Sequence, residues 1–135
     1  MIIYCGSIAD ISVRQLKGFF VGWKNPLTPE QHYELLCSSD HFVVAVDENS
    51  NQIVGFITAL SDGVCTSFIP LLEVLPEYKN MGIGTRLVEL ILSKLQDIPN
   101  VDLMCDPELQ PFYKRFNMHK STGMILRKKM NKNMK

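Results

Sequence analysis

The chain has 135 residues, 46% of them hydrophobic and 21% charged, and its 14 basic side chains balance 14 acidic ones. That composition excludes general disorder, and the absence of a basic surplus argues against a protein that grips nucleic acid through a broad charged face. No apolar run approaches the ~20 residues of a membrane span.

MIIYCGSIAD lacks the pattern of a secretory leader. The four cysteines, Cys5, Cys37, Cys65 and Cys105, are scattered with no C-x-x-C pair, so no metal is expected and a cytoplasmic chain with reduced thiols is the economical reading. No repeat or Gly/Ser/Pro-rich linker divides the sequence. One domain is expected over 1–128, followed by a basic, frayed tail over 129–135.

A strand is expected at 2–5. Asp10 can then cap a helix carrying Ile11, Leu16, Phe19 and Phe20 at helical spacing, broken by GWKNP. Thr28-Pro29-Glu30-Gln31 predicts a second helix, to about Ser38, with a capping Thr, Pro at the first helical position and Gln three residues after the cap. HFVVAV (41–46) and QIVGFITALS (52–61) predict two strands joined by the turn DENSN, and Asp62-Gly63 marks another turn. A third long strand is expected over 64–75, with an edge, bulge or bend at Pro70 because proline cannot donate to the ladder.

Ile83, Leu87, Leu90, Ile91 and Leu95 trace one face of a helix ending near Asp97. A buried strand over 101–105, a short helix over 107–116 and a final strand over 118–128 complete the order β-α-α-β-β-β-α-β-α-β. This is a mixed α/β fold, a mainly antiparallel sheet with a βαβ crossover, and not a doubly wound one. An exposed final strand would allow a homodimer.

The stretch PEYKNMGIGTR opens the long helix with Gly82-Ile83-Gly84. A helix N-terminus presents unpaired N–H groups and the positive end of the helix dipole, and glycine lets an anion approach the backbone. A dinucleotide fingerprint would need glycine where Leu87 stands, and no Gly-Lys-Ser/Thr string exists for a P-loop.

Lys79-Asn80-Met81-Gly82-Ile83-Gly84, preceded by LEVLPEY, resembles the acetyl-CoA signature Gln/Arg-x-x-Gly-x-Gly/Ala of the GNAT N-acetyltransferase superfamily. Lys79 departs from it, keeping the charge without the bidentate fork. Downstream, Phe112-Tyr113-Lys114-Arg115-Phe116-Asn117-Met118 resembles the family's F-Y-E/K-K/R-L-G-F, with Asn117 for Gly at a helix C-cap. Asp106 stands where the family often has Asn. The resemblance implies acetyl-CoA as co-substrate, Leu72 to Val74 along its pantetheine arm, and Asn80, Met81, Gly82, Ile83, Gly84 and Thr85 around its pyrophosphate, with Lys79 and Asp106 nearby.

It also implies transfer of an acetyl group to a primary amine, of a small molecule or a protein, directly in a ternary complex. Tyr113 would protonate the departing thiolate and the Val74 N–H would meet the oxyanion. Glu73 between Leu72 and Val74 would face the acceptor amine as general base, or else solvent or a lysine. Asp106, His32 and His41 are further base candidates, and water chains serve in many family members. The acceptor pocket would be lined by Phe20, Trp23 and Glu73, with Phe19 and Tyr33 beside them; core packing competes for Phe19 and Phe20. A non-catalytic acyl-CoA-binding or regulatory module of the same fold is the alternative.

Overall fold

The computed structural model describes residues 1–128; the tail expected over 129–135 lies outside the described residues. The centre is the hairpin of β2 (His41–Asp47) and β3 (Gln52–Ser61). Their β-branched and aromatic residues are buried continuously, from Phe42 to Val46 and from Ile53 to Ala59, as befits strands covered on both faces. The turn between them uses Asn51 at φ 59° and an Asp47 carboxylate that accepts from Asn49 N–H at 2.9 Å. β1 (Ile2–Cys5) adds antiparallel to β2.

Pro70 ends one strand and lets the next start at a new angle. β4 (Thr66–Ile69) and β5 (Leu72–Val74) both lie against β3, β4 at Leu60–Ser61 and β5 at Gly55–Ile57. β6 (Asn100–Leu103) runs parallel to β4 and, among the described residues, pairs only with 66–69. β5 therefore leaves the sheet beside an open edge. The long strand expected over 64–75 is two strands for this reason.

Among the described residues three α-helices flank the sheet: α1 (Pro29–Ser38), α2 (Ile83–Lys94) and α3 (Gln110–Lys114). α1 starts as expected, with Thr28 Oγ1 accepting from Gln31 N–H and the Gln31 side chain answering Thr28 N–H. α2 buries Ile83, Leu87, Val88 and Ile91 against β2 and β3. It comes so close that a Cβ on Gly55 would stand 3.2 Å from Ile83 Cγ2 and Leu87 Cδ1. The other face is covered by α1 and the segment before it. The expected mixed α/β architecture, mainly antiparallel with one parallel pair joined through α2, is what the chain adopts.

Two expected elements are absent among the described residues. The helix to be capped by Asp10 is replaced by two 3-10 turns, Ile8–Asp10 and Val13–Gln15, and an irregular stretch to Thr28. Ser7 and Ser12, not Asp10, precede these turns. Ile11, Leu16, Phe19 and Phe20 are buried all the same. Gly18 (φ 84°), Phe20 (φ 64°) and Gly22 (φ 85°) bend the backbone so that the apolar side chains reach the core without a helix. The final strand expected over 118–128 also fails to form, since those residues pair with no described strand.

Candidate active site

The open edge of β5 is the first component. Leu75 N–H donates to Val54 C=O at 2.8 Å and Thr58 N–H donates to Leu71 C=O at 3.1 Å, with Phe56 opposite Glu73 between them. An antiparallel strand sends the polar groups of alternate residues to opposite edges. Residues 71, 73 and 75 thus bond to β3, while the N–H and C=O groups of Leu72 and Val74 point toward the gap beside β6.

The second component is the entry to α2. Pro76 starts a 3-10 turn, Pro76–Tyr78, and Asn80 (φ 65°) and Gly82 (φ 80°) then reverse the backbone twice within three residues. Glycine and asparagine suit these left-handed positions. Tyr78 fastens the turn by donating its hydroxyl to the Asp47 carboxylate at 2.7 Å. Lys79, Asn80, Met81 and Gly82 are exposed, Gly84 and Thr85 half-buried, and Ile83 anchors in the core. The residues singled out in the sequence from Lys79 to Thr85 therefore form one helix entry.

α3 closes this wall. A Cβ on Gly84 would lie 3.9 Å from Val74 Cγ2 and 3.8 Å from the Phe112 ring, so β5, α2 and α3 meet at that glycine. Tyr113 beside Phe112 is half-buried, and its phenol is pushed up to about 12 by burial and by the nearby Cys105. Cys105 is itself raised, by burial first and then by Asp106 and Glu108. Asp106 is exposed at the start of the Pro107–Leu109 turn, where its C=O accepts from Leu109 N–H.

Arg115 was missed in the sequence reading. Its guanidinium donates to Thr85 Oγ1 at 2.9 Å and stacks 4.8 Å from the Phe112 ring centre. A cation therefore stands at the first turn of α2. Only its place in the FYKR run hinted at this.

Glu73 faces away from this wall, as strand alternation requires. Its Oε1 accepts from Phe20 N–H at 2.9 Å and its Oε2 from Val21 N–H at 3.3 Å. The carboxylate anchors the 18–23 loop and holds Phe20 in its left-handed conformation. The Phe20 side chain is 3% exposed and packs against His32, Phe56 and Trp23 at 4.9, 6.0 and 4.9 Å between ring centres. Phe20 thus shapes the loop from beneath, whereas Val21, Gly22 and the half-buried Trp23 form its outer surface. Phe19 is core as well.

His32 lies among Phe19, Phe20 and Phe56, and burial lowers its pKa to about 4. Its Nε2 and the Thr58 hydroxyl are buried without a hydrogen-bond partner among the described residues. Tyr33 and His41 are half-buried.

A splayed strand edge thus meets a helix entry with unpaired N–H groups. The profile of the acetyltransferase (GNAT) family matches residues 9–118. The chain belongs to the GNAT family. A crystal structure from Deinococcus radiodurans R1, whose own assignment as an acetyltransferase is provisional, superposes with a TM-score of 0.90 at 38% identity, covering 94% of this chain and 88% of that one. A GNAT-family protein of Streptococcus pneumoniae TIGR4 does so with a TM-score of 0.72 at 26% identity, over 96% and 100%.

By sequence, the chain is 37% identical over 73 residues to GCN5-related N-acetyltransferase 3, chloroplastic, of Arabidopsis thaliana. That match takes in 53% of this chain but only 31% of the plant protein. The uncharacterized N-acetyltransferase ycf52 of Pyropia yezoensis is 25% identical over 127 residues, 87% of this chain and 71% of its own. The family is one of acetyltransferases, and no helix among the described residues is long and apolar enough to cross a membrane.

Proposed function

We propose that this GNAT chain transfers the acetyl group of acetyl-CoA to a primary amine, directly within a ternary complex. The observation that carries the reading is the free edge of β5 beside the α2 entry. Leu72 and Val74 present unused N–H and C=O groups that suit the amide-rich pantetheine arm, and the N–H groups of the α2 entry between Asn80 and Thr85 suit its pyrophosphate. Arg115 at Thr85 supplies a cation there, and exposed Lys79 adds a second one.

In the reaction the ammonium gives one proton to water, the amine nitrogen bonds to the thioester carbon, the C–S bond breaks, and the second N–H proton passes by way of water to the departing thiolate. Val74 N–H meets the oxyanion that forms in between, a contribution of roughly 2.7–4 kcal/mol in comparable sites. Tyr113, raised to about 12, remains protonated throughout the neutral range. It therefore donates a hydrogen bond to the departing sulfur, whose ordinary thiol pKa of ~8.5 makes complete proton transfer from so weak an acid uphill.

Glu73 positions the acceptor loop, because both its oxygens are engaged by Phe20 and Val21. Val21, Gly22 and Trp23 then form the surface an amine meets. The domain spans 1–128 and works in a reducing, cytoplasm-like compartment, in keeping with its free thiols; the plastid label belongs to the Arabidopsis relative.

The test is thiol release from acetyl-CoA across a panel of small amines and peptides. Turnover with one class, lost in Tyr113→Phe while acetyl-CoA binding persists, supports the reading. Flat turnover with retained acetyl-CoA binding selects the non-catalytic acyl-CoA-binding module instead.

A further inference from the structure

A second cleft lies at the far end of α2. Lys94 is the last residue of that helix, about 15 Å along its axis from Gly84 at 1.5 Å per residue. The cleft has a volume of about 300 Å³, at the lower end of small-ligand sites, which run from roughly 300 to 1,000 Å³. Its floor is apolar, made by the buried Leu36 and Phe42 with the half-buried Ile8. Its rim carries Lys94 and Asp40, charges of opposite sign.

These two charges do not pair with each other. The ion pair found among the described residues is Arg86–Glu89. Asp40 Oδ2 accepts from Ser61 N–H at 2.7 Å, which orients the carboxylate, and Oδ1 has no partner among the described residues. Lys94 has none there either. Its tip passes over Gly6, where a Cβ would stand 3.1 Å from Nζ. α1 ends at Ser38, two residues before Asp40, so the negative end of its dipole adds to the carboxylate. A place for a cation and a place for an anion thus share one apolar floor.

We propose that this cleft binds a free α-amino acid with an apolar side chain. Its carboxylate meets Lys94, its ammonium meets Asp40 Oδ1, and its side chain lies on Leu36 and Phe42. A simple anion would face Asp40 unfavourably and a simple cation would face Lys94; a dipolar ligand satisfies both. The cleft is separate from the β5 edge, so the amino acid is held there and not acetylated.

L-Leucine is the probe, titrated into the full chain without acetyl-CoA and followed through the backbone amide resonances. Saturable shifts are expected at Gly6, Asp40 and His41, with Leu72 to Val74 unmoved. Isocaproate lacks the ammonium and isoamylamine lacks the carboxylate. Each should bind about tenfold more weakly, the loss of one charged contact. Lys94→Gln and Asp40→Asn should weaken leucine by a similar factor. Both positions are exposed, and Asn keeps an oxygen for Ser61 N–H, so the spectra elsewhere should match the parent. No shift at Gly6, Asp40 and His41 up to the solubility of leucine overturns the proposal. So do shifts confined to the β5 edge, which would make leucine an acceptor. Equal binding of isocaproate or isoamylamine would make this a site for a single charge and overturns it too, as does leucine binding unchanged in either variant.

Discussion

Along the wall from Leu72 to Thr85 each conformation follows from residues a few positions apart, whereas the opposing loop from Gly18 to Trp23 takes its shape from a carboxylate 53 residues away. On the first wall Pro70 breaks the strand, Pro76 starts the turn, and Asn80 and Gly82 take the left-handed positions. On the second, helical spacing of apolar residues is present but no helix forms. Glu73, bonded to two successive amides, holds a left-handed Phe20 that its own sequence would not choose. A wall built locally tolerates distant change; a wall built on one long-range contact depends on that contact.

That contrast can be broken from either side. The largest effect on stability is expected from His32, beneath the loop. Burial lowers its pKa from 6.5 to about 4, so between these values the unfolded chain binds a proton that the folded chain refuses. Stability is then fully present above 6.5, falls as pH drops toward 4, and levels off below, a total of about 3 kcal/mol at 1.36 kcal/mol per unit. Melting temperature measured across that window should show this decline, and His32→Leu should flatten it. A variant whose curve parallels the parent would show that His32 does not carry the dependence.

On the local wall, Tyr113→Phe should lower kcat by about 100-fold with acetyl-CoA affinity unchanged. Glu73→Gln sharpens the comparison itself. The amide keeps one acceptor oxygen but sets an NH2 group against the second loop N–H, a cost of about 1–3 kcal/mol. Faster hydrogen exchange at Phe20 and Val21 is expected, with a raised acceptor KM and unchanged acetyl-CoA binding. A lost acidic limb in the pH profile of kcat, with loop exchange unaltered, would instead make Glu73 the general base.

Gly82→Ala should cost about 1 kcal/mol, because φ 80° disfavours any Cβ, and it should be visible in both melting and acetyl-CoA affinity. Smallest of all, Arg115→Ala should weaken acetyl-CoA by about 1 kcal/mol, and Lys79→Ala by less. Isothermal titration at two salt concentrations would rank the two cations; a larger loss from Lys79→Ala would return the role to the signature position.

Much of the fold could be read before the structure. The β2–β3 hairpin, the capped α1, the long α2 and the break at Pro70 all appear in the sequence, because propensity, capping and turn chemistry act over a few residues. The α2 entry was equally legible through its glycines. The helix expected after Asp10 was not there because burial of Ile11, Leu16, Phe19 and Phe20 is compatible with more than one backbone path, and periodicity reports burial only. Residues 118–128 read as a strand, yet a strand needs an edge beside it, which composition cannot supply.

Membership of the GNAT family and the place of the α2 entry were therefore determined by the sequence alone, since both rest on short motifs whose conformations are local. Tertiary structure decided the rest. It turned Glu73 to the loop, buried Phe20 beneath that loop, brought Arg115 to Thr85 and left the Val74 N–H facing an open edge. Each of these is a contact between segments far apart in the chain, and its geometry follows from strand register and from the angle at which β5 departs from β4.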